Sequence, residues 1–119
     1  MLIGSLVDAA DERLVVTSVR RTNRAWERLR GLLARPCPGP GEGLLIEPCA
    51  SVHTCFMAYA IDVVYLDRDW HVLRVVTALA PWRASCARGA ALTLELAPGA
   101  ATTLGIEVGR GLAWRPAVA

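Results

Sequence analysis

The sequence predicts a mainly β domain of the α+β class: a small, partly closed antiparallel sheet or barrel, with one covering amphipathic helix and a short C-terminal helical turn. Three observations carry this expectation. Leu92, Leu94 and Leu96 alternate with Thr93 and Glu95, the period of two that belongs to a strand with one buried face. The runs IDVVYLD and WHVLRVVTAL, rich in β-branched residues, flank Asp67, Arg68 and Asp69 as the arms of a hairpin flank its turn. One segment, about residues 22–35, carries a helical period instead.

In chain order, ERLVVTSV reads as a first strand that ends where Arg20 and Arg21 begin a turn. Thr22 or Asn23 then caps the helix. At about 100° per residue, Trp26, Leu29 and Leu33 share one face and Arg24, Arg28 and Arg35 the opposite one. The loop RPCPGPGEG follows, because its prolines and glycines forbid regular structure. GLLIEP is a short buried strand. If EPCASVHTCFM continues as a strand, alternation puts His53, Cys55, Met57 and Tyr59 on one side and Thr54, Phe56 and Ala58 on the other. After the hairpin and ALTLELA, Pro98 opens a helical turn that Gly105 closes, and GLAW returns as a last strand.

A chain of 119 residues fits a single domain, residues 1–119. Hydrophobic residues at 54% against 20% charged place it among compact globular chains, and no apolar run reaches the length of a membrane span. The start MLIGSLVDAADERLVV lacks a basic segment and meets Asp8, Asp11 and Glu12 early, which makes a poor signal peptide and predicts a soluble cytoplasmic protein. In that compartment Cys37, Cys49, Cys55 and Cys86 are expected as free thiols. All 13 basic residues are arginine. Six of them against Glu27 give +5 over residues 20–35, leaving −3 elsewhere within the overall +2. So small a net charge, with no interleaved aromatic platform, argues against nucleic acid and leaves the arginine face either solvated or turned to an acidic protein.

Several residues carry chemical potential. Cys49, His53 and Cys55, with Cys37 or Cys86, could in principle ligate zinc, but C-x3-H-x-C is not a recognised ligand spacing, and no metal or cofactor is expected. His53 could activate Cys49, with Asp62 orienting the imidazole, which is the alternative of a hydrolase-type enzyme. The plainer reading is a core strand whose histidine bonds a neighbour. Asp62 shares a strand face with Val64 and Leu66, so a carboxylate stands where an apolar residue belongs. It needs partners, and His53, Thr54, Arg83 or backbone amides could supply them. In APWRASCARG, Trp82 beside Arg83 offers an aromatic face and a planar cation suited to sugars, carboxylates or phosphates, or else plugs one end of the sheet. His71 reads as exposed hairpin polarity.

Pro48, Val52, His53, Thr54, Met57, Ile61, Asp62, Val63, Val64, Leu66 and Asp67, with RLRGLLARP, GEGLLI, APWR, LELAPG and LGIEVG in order, resemble the blocks of domain of unknown function 192 over about residues 12–115. The resemblance implies a compact β-rich fold with few helices and no established activity. Many relatives look exported, whereas this chain begins almost directly at the domain. In VGRG, Arg110 stands where relatives often carry an acid, which puts a cation site at that turn in doubt. The expectation for function is a noncatalytic ligand- or partner-binding module. Its site lies at one end of the sheet, where His53, Thr54, Asp62, Trp82 and Arg83 converge over an apolar wall of Met57 and Tyr59, and Asp62 is kept ionised by Arg83 or by amide donors. The ligand would be a small polar or anionic molecule or a protein; a third alternative is an interaction accessory that uses the basic helix 22–35.

Overall fold

The computed structural model describes residues 2–22 and 36–118. Nine strands appear in them: β1 (Leu2–Asp8), β2 (Leu14–Thr22), β3 (Glu42–Ile46), β4 (Ser51–His53), β5 (Ile61–Leu66), β6 (Val72–Leu79), β7 (Ala84–Cys86), β8 (Leu92–Leu96) and β9 (Leu112–Pro116). One short helix, α1 (Ala100–Thr103), precedes β9. Seven strands form one sheet in the order β6-β5-β8-β3-β2-β1-β9, and β4 pairs with β7 apart from it. Among the described residues no helix is long and apolar enough to cross a membrane.

The central strands explain the architecture. β5 and β8 are buried along their whole length, and β3 is buried after Glu42. Val64, Leu66, Leu45 and Leu94 join Leu6, Val16 and Val19 in one core, while Ile61, Val63, Tyr65, Leu44 and Ile46 build a second core on the other face. Each fully buried side chain of this size stabilises by roughly 1.5–3 kcal/mol relative to an exposed one, so covering both faces is what holds the sheet. Val52 of the β4–β7 ribbon and Ala87, just after β7, do part of that covering. Tyr65 is buried beneath it, and the loss of water pushes its phenol above the ordinary value, with the Ser85 hydroxyl opposing the shift.

The mainly β class holds, and several finer expectations are corrected. The sheet is mixed, because β2 and β3 run parallel with Ser18 opposite Glu42 and Thr22 opposite Ile46. Parallel neighbours cannot be joined by a tight hairpin and need a long connection, which residues 23–41 provide. It is also not a closed barrel. β6 and β9 are its outer strands, in contact only around their starts, through the His71–Gly111 bridge and the N–H groups of Val72 on Arg110 and Leu112 on Trp70, among the described residues. The helix expected at about 22–35 falls almost entirely on residues outside the described ones; Thr22 itself is no cap but the buried last residue of β2, so that strand outruns the turn expected at Arg20. β1 was not expected at all, since its acidic end hid the pattern. Asp8 is buried, with one oxygen accepting the Ala10 N–H at 2.8 Å and the other bonded to Arg110 at 2.6 Å, and these hold its carboxyl below the usual range. Arg110, in the turn where an acid was the alternative, therefore serves Asp8.

Other expectations stand. The β5–β6 hairpin turns through Asp67, Arg68, Asp69 and Trp70, with the Trp70 N–H on the Asp67 carbonyl at 3.0 Å. The helical turn after Pro98 is α1, and Gly105 follows it at φ 71, a left-handed conformation that glycine tolerates without a Cβ clash. GLAW lies at the start of β9.

Candidate functional site

The strand expected through EPCASVHTCFM stops at His53, and alternation stops with it. From Thr54 the chain turns, and its partner is the loop before β7. Thr54 is fully buried and ties the two loops together. Its N–H donates to the Arg83 carbonyl at 2.8 Å, and its own carbonyl accepts the N–H groups of Trp82 at 3.0 Å and Met57 at 3.2 Å. Its hydroxyl donates to the Ala80 carbonyl at 2.6 Å and accepts the Arg83 N–H at 2.9 Å.

This knot presents Phe56 and Trp82. Both have left-handed backbones, at φ 66 and 64, which cost a non-glycine residue of order 1–3 kcal/mol. Both are exposed, at 74% and 57%, and their rings lie 4.6 Å apart with planes tilted by 59°. A chain that strains two backbones to hold two large aromatics out of its core is spending stability on their position. Arg83 is exposed beside them, its Nη1 on the Trp82 carbonyl at 3.3 Å, and His53 is exposed at the end of β4, opposite Ala84. Met57 and Tyr59 are half-buried against the second core, and the Tyr59 hydroxyl reaches the Pro36 carbonyl at 3.4 Å.

Asp62 does not open onto this patch. It is fully buried, and among the described residues its carboxylate bonds backbone amides alone: Oδ1 accepts from Ala78 at 2.8 Å and Gly99 at 3.0 Å, and Oδ2 from Ala101 at 2.9 Å. Of the partners considered from sequence, the backbone amides hold it, and His53, Thr54 and Arg83 make no hydrogen bond to it. Asp62 thus joins β5 to the irregular end of β6 and to the start of α1, where no ligand can touch it. Among the described residues no hydrogen bond links Cys49, His53 and Asp62: the Cys49 thiol donates to the Ser51 carbonyl at 3.1 Å, and the Asp62 carboxylate is taken up by amides. Among the described residues the trio with ligand atoms close enough to share an ion is Asp67, Asp69 and His71, not the cysteines. Asp67 Oδ1 is already engaged by the N–H groups of Asp69 and His71, each at 2.9 Å.

Phe56 is the residue that sequence reasoning missed, having been placed on the opposite strand face from the site. Its left-handed backbone has no sequence signal. The knot itself is testable. Thr54→Val keeps the branched shape but removes the part-buried bonds to the Ala80 carbonyl and the Arg83 N–H, at roughly 1.5 kcal/mol for each. Urea denaturation should show a loss of about 3 kcal/mol, with faster amide exchange at Trp82 and Arg83. A loss within error would mean that the hydroxyl does not hold the loops.

Comparison with known proteins places the fold in a wider set. The family model DUF192, described as "Uncharacterized ACR", matches residues 6–114. A protein of unknown function from Novosphingobium aromaticivorans has a similar crystal structure, with a TM-score of 0.82 at 22% identity over 94% of this chain and 85% of that one. A protein from Sinorhizobium meliloti described as a candidate transcription regulator is similar at a TM-score of 0.80 and 20% identity, over 95% of this chain and 92% of that one. At these identities the likeness is one of fold. No curated protein matches the chain.

Proposed function

Because the chain belongs to the DUF192 family, which is uncharacterised, its function has to be read from its own surface, and we propose that it is a noncatalytic partner-binding module. The observation that supports this is the Phe56–Trp82 pair, held in solvent on two left-handed backbones by the Thr54 knot. Exposed aromatics fixed in place are what recognition surfaces use as anchors, because their apolar area is large and little conformational freedom is lost on binding.

Charge supports one class of partner. Residues 48–60 and 70–94 contain no Asp or Glu, and between them they carry exposed His53, Arg74, Arg83 and Arg88 around the β4–β7 ribbon. A protein segment with an apolar side chain next to carboxylates fits an aromatic anchor set in a cationic rim. Screening a displayed random-peptide library on the domain should enrich such peptides. Trp82→Ala should then weaken them by about 2 kcal/mol, roughly thirtyfold, while the folded state survives because the ring is exposed. Peptides that bind Trp82→Ala equally well would remove the site from this surface. Tighter binding of labelled oligothymidine than of any enriched peptide would overturn the assignment to a protein partner.

A further inference from the structure

A second constructed site lies away from the aromatic pair, on three residues far apart in the chain. Arg21, next to last in β2, places its guanidinium carbon 5.2 Å from the ring centre of Trp70 and 5.3 Å from that of Trp114. Each indole is positioned by its own device. Trp70 ends the β5–β6 turn at φ 66. Trp114 lies directly on the backbone of Gly4, where an added Cβ would come within 2.6 Å of its Cζ2. Arg21 Nε donates to Glu47, so one edge of the cation is fixed. Its terminal nitrogens meet no acceptor among the described residues.

Arg21 also lines a groove of about 530 Å³, together with Glu47, Arg68, Trp70, Ala91 and Leu92. That volume is in the range of small-molecule clefts. Buried Leu92 and half-buried Trp70 and Ala91 give it apolar surface, and exposed Arg68 has no partner among the described residues. The lining carries two guanidinium groups against one carboxylate, an excess of one positive charge.

The geometry points to a binding site for a small monoanionic carboxylate with an apolar body. A carboxylate matches the planar fork of a guanidinium that is already stacked and oriented. A single negative charge neutralises the excess, whereas a phosphate dianion would exceed it. The apolar body would lie along Trp70 and Leu92. The assignment uses none of the residues of the Phe56–Trp82 patch, so either can fail alone.

Benzoate is the probe, with benzamide as its uncharged counterpart, each followed by two-dimensional NMR of the labelled protein. Benzoate at millimolar concentration should shift the Trp70 indole and the Arg21 amide, and benzamide should not. Arg68→Gln, in an exposed turn, should weaken benzoate about tenfold with an unchanged melting temperature. Arg21→Lys keeps the charge and loses the fork, and should abolish the response. Phe56→Ala should leave it intact. No shift with benzoate, equal shifts with benzamide, equal affinity in Arg68→Gln, or tighter binding of inorganic phosphate would each overturn the site. In the first of these outcomes the Arg21 stack is a structural closure between the starts of β6 and β9.

Discussion

Asp62→Ala is expected to destabilise the domain by about 4 kcal/mol, a large share of the roughly 5–15 kcal/mol that holds a domain of this size together. The carboxylate accepts three amides, from the end of β6, from Gly99 and from Ala101, and alanine supplies nothing in its place. The Ala101 amide is itself inside the core, so its lost partner cannot be replaced by bulk water. Asp62→Asn separates charge from geometry. Asparagine offers one oxygen and one amino group, so a donor must face either Ala101 or the pair of Ala78 and Gly99. That mismatch should cost about 2 kcal/mol, less than alanine because some acceptor capacity remains. Urea denaturation of both variants checks the order. An asparagine variant as stable as the parent would mean that the amides do not need a carboxylate, and the account of Asp62 as the tie between β5 and α1 would fail.

Asp62 also marks how far the sequence could be read. A carboxylate in register with Val64 and Leu66 announced a buried, satisfied acid, and the amides were among its expected partners. Its donors could not be named, since Ala78, Gly99 and Ala101 come from elements whose approach depends on the whole fold. The hairpin at Asp67 to Trp70 and the location of the strand Leu92–Leu96 were legible because turn residues and alternation are local signals, but the single buried face that alternation implied is corrected, since Thr93 and Glu95 are buried as well. The parallel pairing of β2 with β3 was not, because pairing direction is set by where the connection travels. Asp8 hid β1: a buried acid looks like an exposed one until Arg110, far along the chain, is brought beside it.

The surface chemistry divides in the same way. Trp82 and Arg83 stood out through their adjacency, and the loop that carries them does present them to solvent. Phe56 was invisible because a period-two reading was extended past His53, where the chain leaves the strand and Phe56 enters a left-handed conformation that phenylalanine rarely adopts. Thr54 exchanged roles: expected to face a ligand, it is the buried post on which the exposed rings are mounted. The cluster of Arg21, Trp70 and Trp114 gave no local signal, being assembled from β2, a turn and β9.

Gly4→Ala is expected to lower stability by about 3 kcal/mol, through overpacking rather than backbone strain. Gly4 sits inside β1, opposite Val19 on one side and Pro116 on the other. A Cβ there would lie 2.4 Å from the Arg115 carbonyl oxygen and 2.6 and 2.7 Å from two carbons of the Trp114 ring. The ring can swing away, but the carbonyl belongs to the paired backbone of β9 and moves only if that strand moves. At about 4 °C or more per kcal/mol for a small domain, the melting temperature should fall by roughly 12 °C or more. Displacing Trp114 also takes one indole from Arg21, so the benzoate response should weaken along with stability. Gly111→Ala is the matched comparison. Its added Cβ would meet Ala9 at 3.5 Å and His71 at 3.6 Å, ordinary contacts, and the change should be neutral or slightly stabilising because the unfolded chain loses freedom. Scanning calorimetry on the two variants decides the point. If Gly4→Ala melts with Gly111→Ala, β9 yields easily, and Trp114 is not seated by the glycine beneath it.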